Sequence, residues 1–160
     1  MSNEIKVGIA DYQLAKPPDK LITLGLGSCV GIAIYNDQDK IGGLSHIMLP
    51  DSTFFMKEIK SEKFADLAIP QMVEEITKGR TTRKLVAKIA GGASMFNFPD
   101  KKLNNNIGER NIQAVQKKLK ELGIPILASH TGGSIGRTMI VDLNDFTVKI
   151  RTANRQITIL

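Results

Sequence analysis

The amino-acid sequence predicts a layered α+β fold in a single domain of residues 1–160. About eight short segments are rich in apolar and β-branched residues, as strands are, and two further segments carry apolar residues at helical spacing. The segment Val30 to Tyr35 is almost continuously apolar, which is typical of a strand covered on both faces. These patterns favour one mixed sheet or a pair of sheets, in either case with helices outside.

The first third of the chain is predicted to be rich in strands. Apolar segments between turn-forming residues place these strands at Lys6 to Ala10, Leu21 to Gly25, Val30 to Tyr35 and Ile41 to Met48. A helix follows, with Ser61 as its predicted N-cap. Its apolar face is formed by Phe64, Leu67, Met72, Val73 and Ile76. Pro70 is expected to kink or split this helix, because proline lacks the backbone N–H.

The second half alternates a strand, a helix and a group of strands. Leu85 to Ala90 is a predicted buried strand that ends at Gly91 and Gly92. Ile112, Val115, Leu119 and Leu122 then line one face of a helix, which Gly123 and Pro125 end. The last strands are predicted at Ile124 to Ser129, Thr138 to Leu143, Phe146 to Thr152 and Gln156 to Leu160. A tight hairpin is predicted at Asn144 and Asp145.

Composition and charge give little support to nucleic-acid binding or to membrane insertion. The formal net charge is +6, but the basic residues are dispersed and no aromatic-basic cluster accompanies them. Solvated surface charge is the favoured interpretation, with a docking face for an acidic protein as the alternative and nucleic-acid binding supported by net charge alone. The longest uncharged run, Leu21 to Tyr35, is shorter than the roughly 20 residues of a membrane helix, and no apolar leader is evident. We therefore expect a cytoplasmic protein without membrane insertion.

The only cysteine, Cys29, is the first candidate for chemistry. It follows Gly25 and Gly27, where the backbone can approach a substrate closely. If Asp37 and Gln38 formed a two-residue hairpin loop, Cys29 would lie directly opposite His46, and a thiolate-imidazolium pair would be within reach. The alternatives are a small buried cysteine and a hydrogen-bonded core histidine. One cysteine and two histidines do not form a metal-binding pattern, so neither a metal nor another cofactor is expected.

Five segments in order resemble those of a known family. They are Thr23 to Val30, Gly42 to Pro50, Lys88 to Phe96, Ile107 to Asn111 and Thr131 to Arg137. Together they resemble the CheD family of chemoreceptor glutamine deamidases. The resemblance implies an α/β/β/α architecture, with two packed mixed sheets flanked by helices, and a hydrolase that acts on linear amides, the side chains of protein glutamines.

The resemblance also assigns roles to residues. It implies a catalytic set of Cys29, His46 and Thr23, although Thr23 can also be interpreted as an ordinary strand residue. Backbone amides near Ser28 and Cys29 are candidates to hold an oxyanion, and Gly27 and Ser45 are further candidates for oxyanion binding or positioning. His130 stands where the family commonly has an acidic residue, and we expect it to be a surface or loop histidine. Arg110 and Asn111 either cap the second helix or face the substrate.

The resemblance implies two kinds of partner. Methyl-accepting chemotaxis receptors would be the substrates, and a CheC-type phosphatase would bind near the active site. A regulatory binding module, in which complex formation with that phosphatase matters more than turnover, is the alternative function. No cofactor is implied.

Overall fold

The computed structural model describes residues 2–54, 60–78, 84–94 and 106–160. Ten strands in these ranges form two five-stranded sheets. The strands are β1 (Glu4–Lys6), β2 (Asp11–Ala15), β3 (Lys20–Leu26), β4 (Val30–Asn36), β5 (Ile41–Ile47), β6 (Leu85–Gly91), β7 (Ile126–Thr131), β8 (Arg137–Asp142), β9 (Val148–Thr152) and β10 (Ile157–Ile159). The helices are α1 (Ala65–Thr77) and α2 (Ile107–Glu121), and short 3-10 turns occur at Ser52–Phe54 and Ser61–Lys63.

The two sheets lie face to face, and the helices lie on one side of them. The central sheet has the order β2-β5-β4-β6-β7, and the outer sheet has the order β1-β3-β8-β9-β10. Each contains one parallel pair, β6 with β7 and β1 with β3, so both sheets are mixed. Both helices contact the central sheet and each other. The predicted layered α+β fold with two packed mixed sheets is confirmed, and over the described residues the layers follow the order α/β/β.

Strand β4 carries the core of both interfaces. Val30, Ile32 and Ile34 pack towards the helices, whereas Ala33 and Tyr35 pack towards the outer sheet. Every residue of β4 is buried, which confirms the prediction of a strand covered on both faces. Because full burial of such an aliphatic side chain is worth about 1.5–3 kcal/mol, β4 is a major source of stability for both layers.

The N-terminal third differs from the prediction at two places. The predicted strand Lys6 to Ala10 is wrong, because β1 ends at Lys6 and the chain turns at Ala10, whose φ is 58°. Strand β2, with its alternating pattern, was not predicted. Ser61 is not the N-cap of α1: it begins a 3-10 turn, and its hydroxyl donates to Gln71 Oε1 at 2.8 Å. Pro70 lies inside α1 without splitting it.

The second half follows the prediction closely. Helix α2 is confirmed and ends before Gly123, whose φ of 71° suits a glycine C-cap. Leu122 is 40% exposed and lies outside the buried face. Val141 pairs with Val148, which confirms the hairpin centred on Asn144 and Asp145. Within the described residues, no helix combines the length and the apolar character that crossing a membrane requires.

Candidate active site

Thr23 and His46 meet between the two sheets. Thr23 lies on β3 of the outer sheet and His46 on β5 of the central sheet, and the distance from Thr23 Oγ1 to His46 Nδ1 is 2.6 Å. The Thr23 hydroxyl also donates to the Val7 carbonyl oxygen at 2.8 Å. A hydroxyl has one proton, so Thr23 accepts from His46. The proton of the neutral imidazole is therefore on Nδ1, and Nε2 carries the lone pair of a base.

The environment of His46 keeps the imidazole neutral. Its side chain is 0% exposed, and Nε2 has no hydrogen-bond partner among the described residues. Burial lowers the pKa of His46 from its ordinary value to about 4. At neutral pH the site therefore contains an uncharged base whose available nitrogen is set by Thr23.

Cys29 ends the loop between β3 and β4. The residue is half-buried and packs against the core between the sheets, the same core that surrounds His46. Burial raises the pKa of the Cys29 thiol, and the residue's own backbone N–H partly opposes this rise. Together with the low pKa of His46, this favours a neutral thiol beside a neutral imidazole, rather than the thiolate-imidazolium pair that the sequence suggested.

The register of the β4–β5 hairpin differs from the predicted one by two residues. His46 pairs with Gly31, so the direct opposition of Cys29 and His46 was wrong. The loop has four residues, Asp37 to Lys40, because the Asn36 side chain accepts from the Asp39 N–H at 3.2 Å and Lys40 adopts a φ of 54°.

A two-residue shift preserves the face of the sheet. Cys29 is therefore a diagonal neighbour of His46, a position typically about 7–8 Å away between backbone positions. Among the described residues, no hydrogen bond joins the Cys29 sulfur to His46. The thiol and the base are on the same side of the sheet, but no hydrogen bond joins them.

All three carbonyl groups of the Cys29 loop accept hydrogen bonds. Gly27 O accepts from Ala93 N at 2.8 Å, and Cys29 O accepts from Gly92 N at 2.8 Å. Ser28 O accepts from the Asn111 side-chain amide at 2.9 Å. Gly27 and Ser28 thus belong to the loop that presents Cys29.

Ser45 does not join this group. It pairs with Ile32, on the face of the central sheet that packs against the helices, whereas its neighbour His46 faces the outer sheet. Its hydroxyl is buried and has no hydrogen-bond partner among the described residues. The structure therefore gives no contact through which Ser45 could position the thiol or the imidazole.

Asn111 is the residue whose role sequence reasoning missed. It is 0% exposed, and its Nδ2 donates to both Ser28 O and Met48 O, each at 2.9 Å. The helix therefore connects the segment before Cys29 to the segment after His46. A signal was present in the sequence: Asn111 lies four residues before Val115 on the apolar face of α2, where a poor helix former is out of place.

His130 lies in strand β7 and is half-buried, so the loop alternative of the expectation is wrong. Its Nδ1 accepts from Arg137 Nε at 2.8 Å, and Arg137 Nη2 donates to Gly132 O at 2.7 Å. Burial and then the Arg137 charge lower the pKa of His130. His130 therefore anchors Arg137 and the Gly132 turn. In the described residues, no group of three His, Cys, Asp or Glu side chains could hold a metal ion.

Two glycine pairs, Gly91-Gly92 and Gly132-Gly133, lie next to each other at the edge of this site. Gly132 N donates to Gly91 O at 3.0 Å, and Ser94 N donates to Gly133 O at 2.8 Å. The pairs therefore act as turns that bring the ends of β6 and β7 next to the Cys29 loop. Met95 and Phe96, which belong to one of the segments used for the family resemblance, lie outside the described residues.

Comparison with known proteins places the chain in a family. The model of the CheD family, described as chemotactic sensory transduction, matches residues 48–152. A protein of Clostridium novyi named "Probable chemoreceptor glutamine deamidase CheD" is 58% identical over 151 residues, which cover 94% of this chain and 93% of the relative. A protein of the same name from Clostridium botulinum is 60% identical over 150 residues, with 93% of each chain covered.

These matches complement each other along the chain. The family model begins after Cys29 and His46, whereas the coverage of the relatives is so complete that it includes the segment from Thr23 to His46. The chain belongs to the CheD family.

Proposed function

We propose that this protein is a chemoreceptor glutamine deamidase, a hydrolase that converts receptor glutamine side chains to glutamate and releases ammonia. The names of its relatives support the reaction and the substrate. The observation that carries the proposal is the 2.6 Å contact between Thr23 Oγ1 and His46 Nδ1, because it leaves Nε2 as a base on the face where Cys29 lies. A half-buried cysteine on the same face as an oriented imidazole supplies the two groups that nucleophilic amide hydrolysis needs.

The first half of the reaction forms a thioester. The Cys29 sulfur attacks the amide carbon, and its proton passes to His46 Nε2. The same proton is then given to the substrate nitrogen as the C–N bond breaks, and ammonia departs. General acid-base transfer of this kind typically contributes about 10²- to 10⁴-fold in rate, which makes His46 essential to the proposed mechanism.

The second half regenerates the enzyme. A water molecule gives a proton to His46 Nε2 as its oxygen attacks the thioester carbon. The C–S bond breaks, the sulfur recovers the proton from Nε2, and the substrate side chain leaves as a carboxylate after losing its own proton to solvent. Thr23 acts through His46 as a positioning residue, because it holds Nδ1–H and thereby keeps Nε2 aimed at the reacting atoms.

The neutral state of the Cys29 thiol and the His46 imidazole determines when the proton is transferred. A thiol with a raised pKa next to an imidazole with a lowered pKa transfers its proton during attack, not before it. No hydrogen bond joins the sulfur to Nε2 in this structure, so the proposed cycle needs receptor docking to bring the two atoms into hydrogen-bonding geometry. We propose that substrate binding completes the site, which protects the cysteine until a receptor is present.

The names of the relatives support chemoreceptors as partners, and the family resemblance implies a CheC-type phosphatase as a second proposed partner. A purely regulatory module that binds this phosphatase would not need a buried histidine with an oriented, unpartnered nitrogen beside a cysteine. The cost of burying unpaired polar groups therefore favours the enzyme.

The proposal is tested by incubating a receptor cytoplasmic fragment with the protein and with its Cys29→Ala variant. Ammonia release and conversion of glutamine to glutamate, followed by peptide mass spectrometry, are expected only with the unmodified protein. Absence of conversion on the cognate receptors would overturn the enzyme. Equal conversion by Cys29→Ala would overturn the assignment of the nucleophile.

A further inference from the structure

The backbone of the Cys29 loop is held through its carbonyl groups. Ala93 N binds Gly27 O, and the Asn111 side chain binds Ser28 O. In a trans peptide the C=O and the following N–H lie in one plane and point in opposite directions. Fixing Gly27 O thus fixes the direction of Ser28 N–H, and fixing Ser28 O fixes the direction of Cys29 N–H.

Both N–H groups point away from the groups that bind the carbonyls. Neither has a backbone or side-chain acceptor on another residue within the described parts of the chain. Free backbone N–H groups beside a nucleophile are the usual donors to the oxyanion of acyl transfer.

Asn111 is held firmly where it binds this loop. It donates to Met48 O as well as to Ser28 O, so its amide plane is fixed at two points. Three residues earlier, Gly108 lies so close to the adjoining segment that a Cβ there would lie 2.4 Å from Ala93 O and 2.6 Å from Gly92 O. The first turns of α2 are thus packed directly on the loop that also binds Gly27 O and Cys29 O.

We propose that Asn111 is a positioning residue for the oxyanion hole: by binding Ser28 O, it turns the Cys29 N–H towards the oxygen of the substrate amide. The assignment rests on the proposed deamidase function and adds a residue to it. Asn111 does not touch the substrate, the thiol or the imidazole. Its effect is confined to steps in which negative charge develops on a carbonyl oxygen.

Two reactions of Cys29 separate this role from a structural one. Deamidation develops an oxyanion, whereas alkylation by iodoacetamide displaces iodide from a saturated carbon and develops none. For Asn111→Ala we expect kcat for a receptor fragment to fall about 100-fold, as for the loss of one oxyanion donor, with KM within about threefold. The rate of alkylation of Cys29 should change by less than about threefold.

The matched control is Val115→Ala, one turn along the same buried face of α2, which disturbs the core but not Ser28. It should keep kcat within about threefold per folded molecule, because large-to-small changes in a core affect stability first. If Asn111→Ala does not fold, Asn111→Ser is measured in the same way, with a loss of kcat of at least about tenfold and unchanged alkylation expected.

The outcomes are distinct. An unchanged kcat in the folded Asn111 variant, a parallel fall of alkylation and kcat, or an equal loss in Val115→Ala would each overturn the role of Asn111. If the unmodified protein converts glutamine to glutamate in the same assay, each of these results contradicts only the role of Asn111 and not the proposed deamidase function. If the unmodified protein converts no receptor glutamine, the proposed function fails instead.

Discussion

The Thr23 hydroxyl connects the two sheets at the point where the proposed chemistry occurs. It accepts from His46 and donates to Val7 O, so its single proton determines which imidazole nitrogen is basic. The final acceptor in this series of hydrogen bonds, Val7 O, is an uncharged backbone carbonyl oxygen. No carboxylate stabilises an imidazolium through Thr23, which agrees with the lowered pKa of His46.

Substituting Thr23 tests this orientation. Thr23→Val should reduce kcat by about 10- to 100-fold, because losing an orienting hydrogen bond worth roughly 1–3 kcal/mol misplaces Nε2. Thr23→Ser keeps the hydroxyl and should stay within a few-fold of the unmodified protein. Steady-state deamidation of a receptor fragment measures both. Equal activity of the Val and Ser variants would show that the hydroxyl has no part in the reaction.

The reactivity of Cys29 should reflect its burial. Since its pKa is raised, the thiolate fraction at neutral pH is smaller than for a free cysteine, and alkylation should be slower. The rate should increase with pH through a midpoint above the ordinary value of about 8.5. Iodoacetamide kinetics across pH, with free cysteine as the reference, provide the measurement. A midpoint well below that of free cysteine would restore the ion pair suggested by the sequence.

The buried His46 also predicts how stability depends on pH. In the unfolded chain it binds a proton near pH 6.5, but in the folded protein it does so only near pH 4. Between these values the unfolded state binds more protons, so stability falls as the pH falls. The loss attributable to His46 is about 2 kcal/mol between pH 7 and pH 5. Urea unfolding should show that His46→Gln loses less stability over this interval; an identical dependence would contradict the shift.

For single residues, the sequence indicates candidates for a nucleophile, a base and an orienting hydroxyl, but it does not show which side chains these residues contact. Cys29, His46 and Thr23 are distinctive through their context and through the family resemblance. Asn111 is far from all three in sequence, and its contacts depend on how α2 crosses the loop. Ser45 lies on the other face of the central sheet from His46, because adjacent strand residues face opposite sides of a sheet.

At the level of strands and helices, the register of β4 against β5 could not be predicted from the hydrophobic pattern. The alternation of apolar residues predicted β4 and β5 well, but the offset between them depends on the loop, where Asn36 and Lys40 form a four-residue turn. An offset of two residues leaves every side chain on its predicted face, so the hydrophobic pattern does not detect it. Strand β2 was missed because its five residues include Asp11 and Gln13 on one half-exposed face.

The close packing of α2 on Gly92 and Ala93, which bind the Cys29 loop, predicts that a substitution at Gly108 lowers stability. Gly108→Ala places a methyl group against backbone oxygens that cannot move independently, so it should cost roughly 1–3 kcal/mol despite the better helix propensity of alanine. Gly8→Ala is the control, since no atom lies within 4 Å of its added Cβ. Urea unfolding of both variants checks this. A Gly108→Ala protein as stable as Gly8→Ala would show that the helix can shift freely.

For the whole molecule, β4 joins two cores that share its opposite faces. We propose on this basis that the chain forms the single domain predicted from the sequence and that the two cores unfold together. The protein has two tyrosines and no tryptophan: Tyr35 is buried between the sheets, and Tyr12 packs on the core beside the helices.

Each tyrosine can report on one core. In the variants Tyr12→Phe and Tyr35→Phe, the remaining tyrosine's fluorescence should have the same urea midpoint as far-UV circular dichroism, because a single domain unfolds in one transition. Two midpoints within one variant would separate the cores and contradict a single cooperative unit.

The proposed mechanism requires that a glutamine side chain acylates Cys29 and that His46 carries the proton. Its most direct test is rapid acid quenching of the protein with a glutamine-containing receptor fragment, followed by mass spectrometry of the Cys29 peptide. We expect an adduct with the mass of the fragment less that of ammonia. Hydroxylamine should release this adduct, and Cys29→Ala should abolish both the adduct and glutamate formation. Glutamate formation that proceeds in Cys29→Ala, with no adduct on the unmodified protein, would contradict the mechanism.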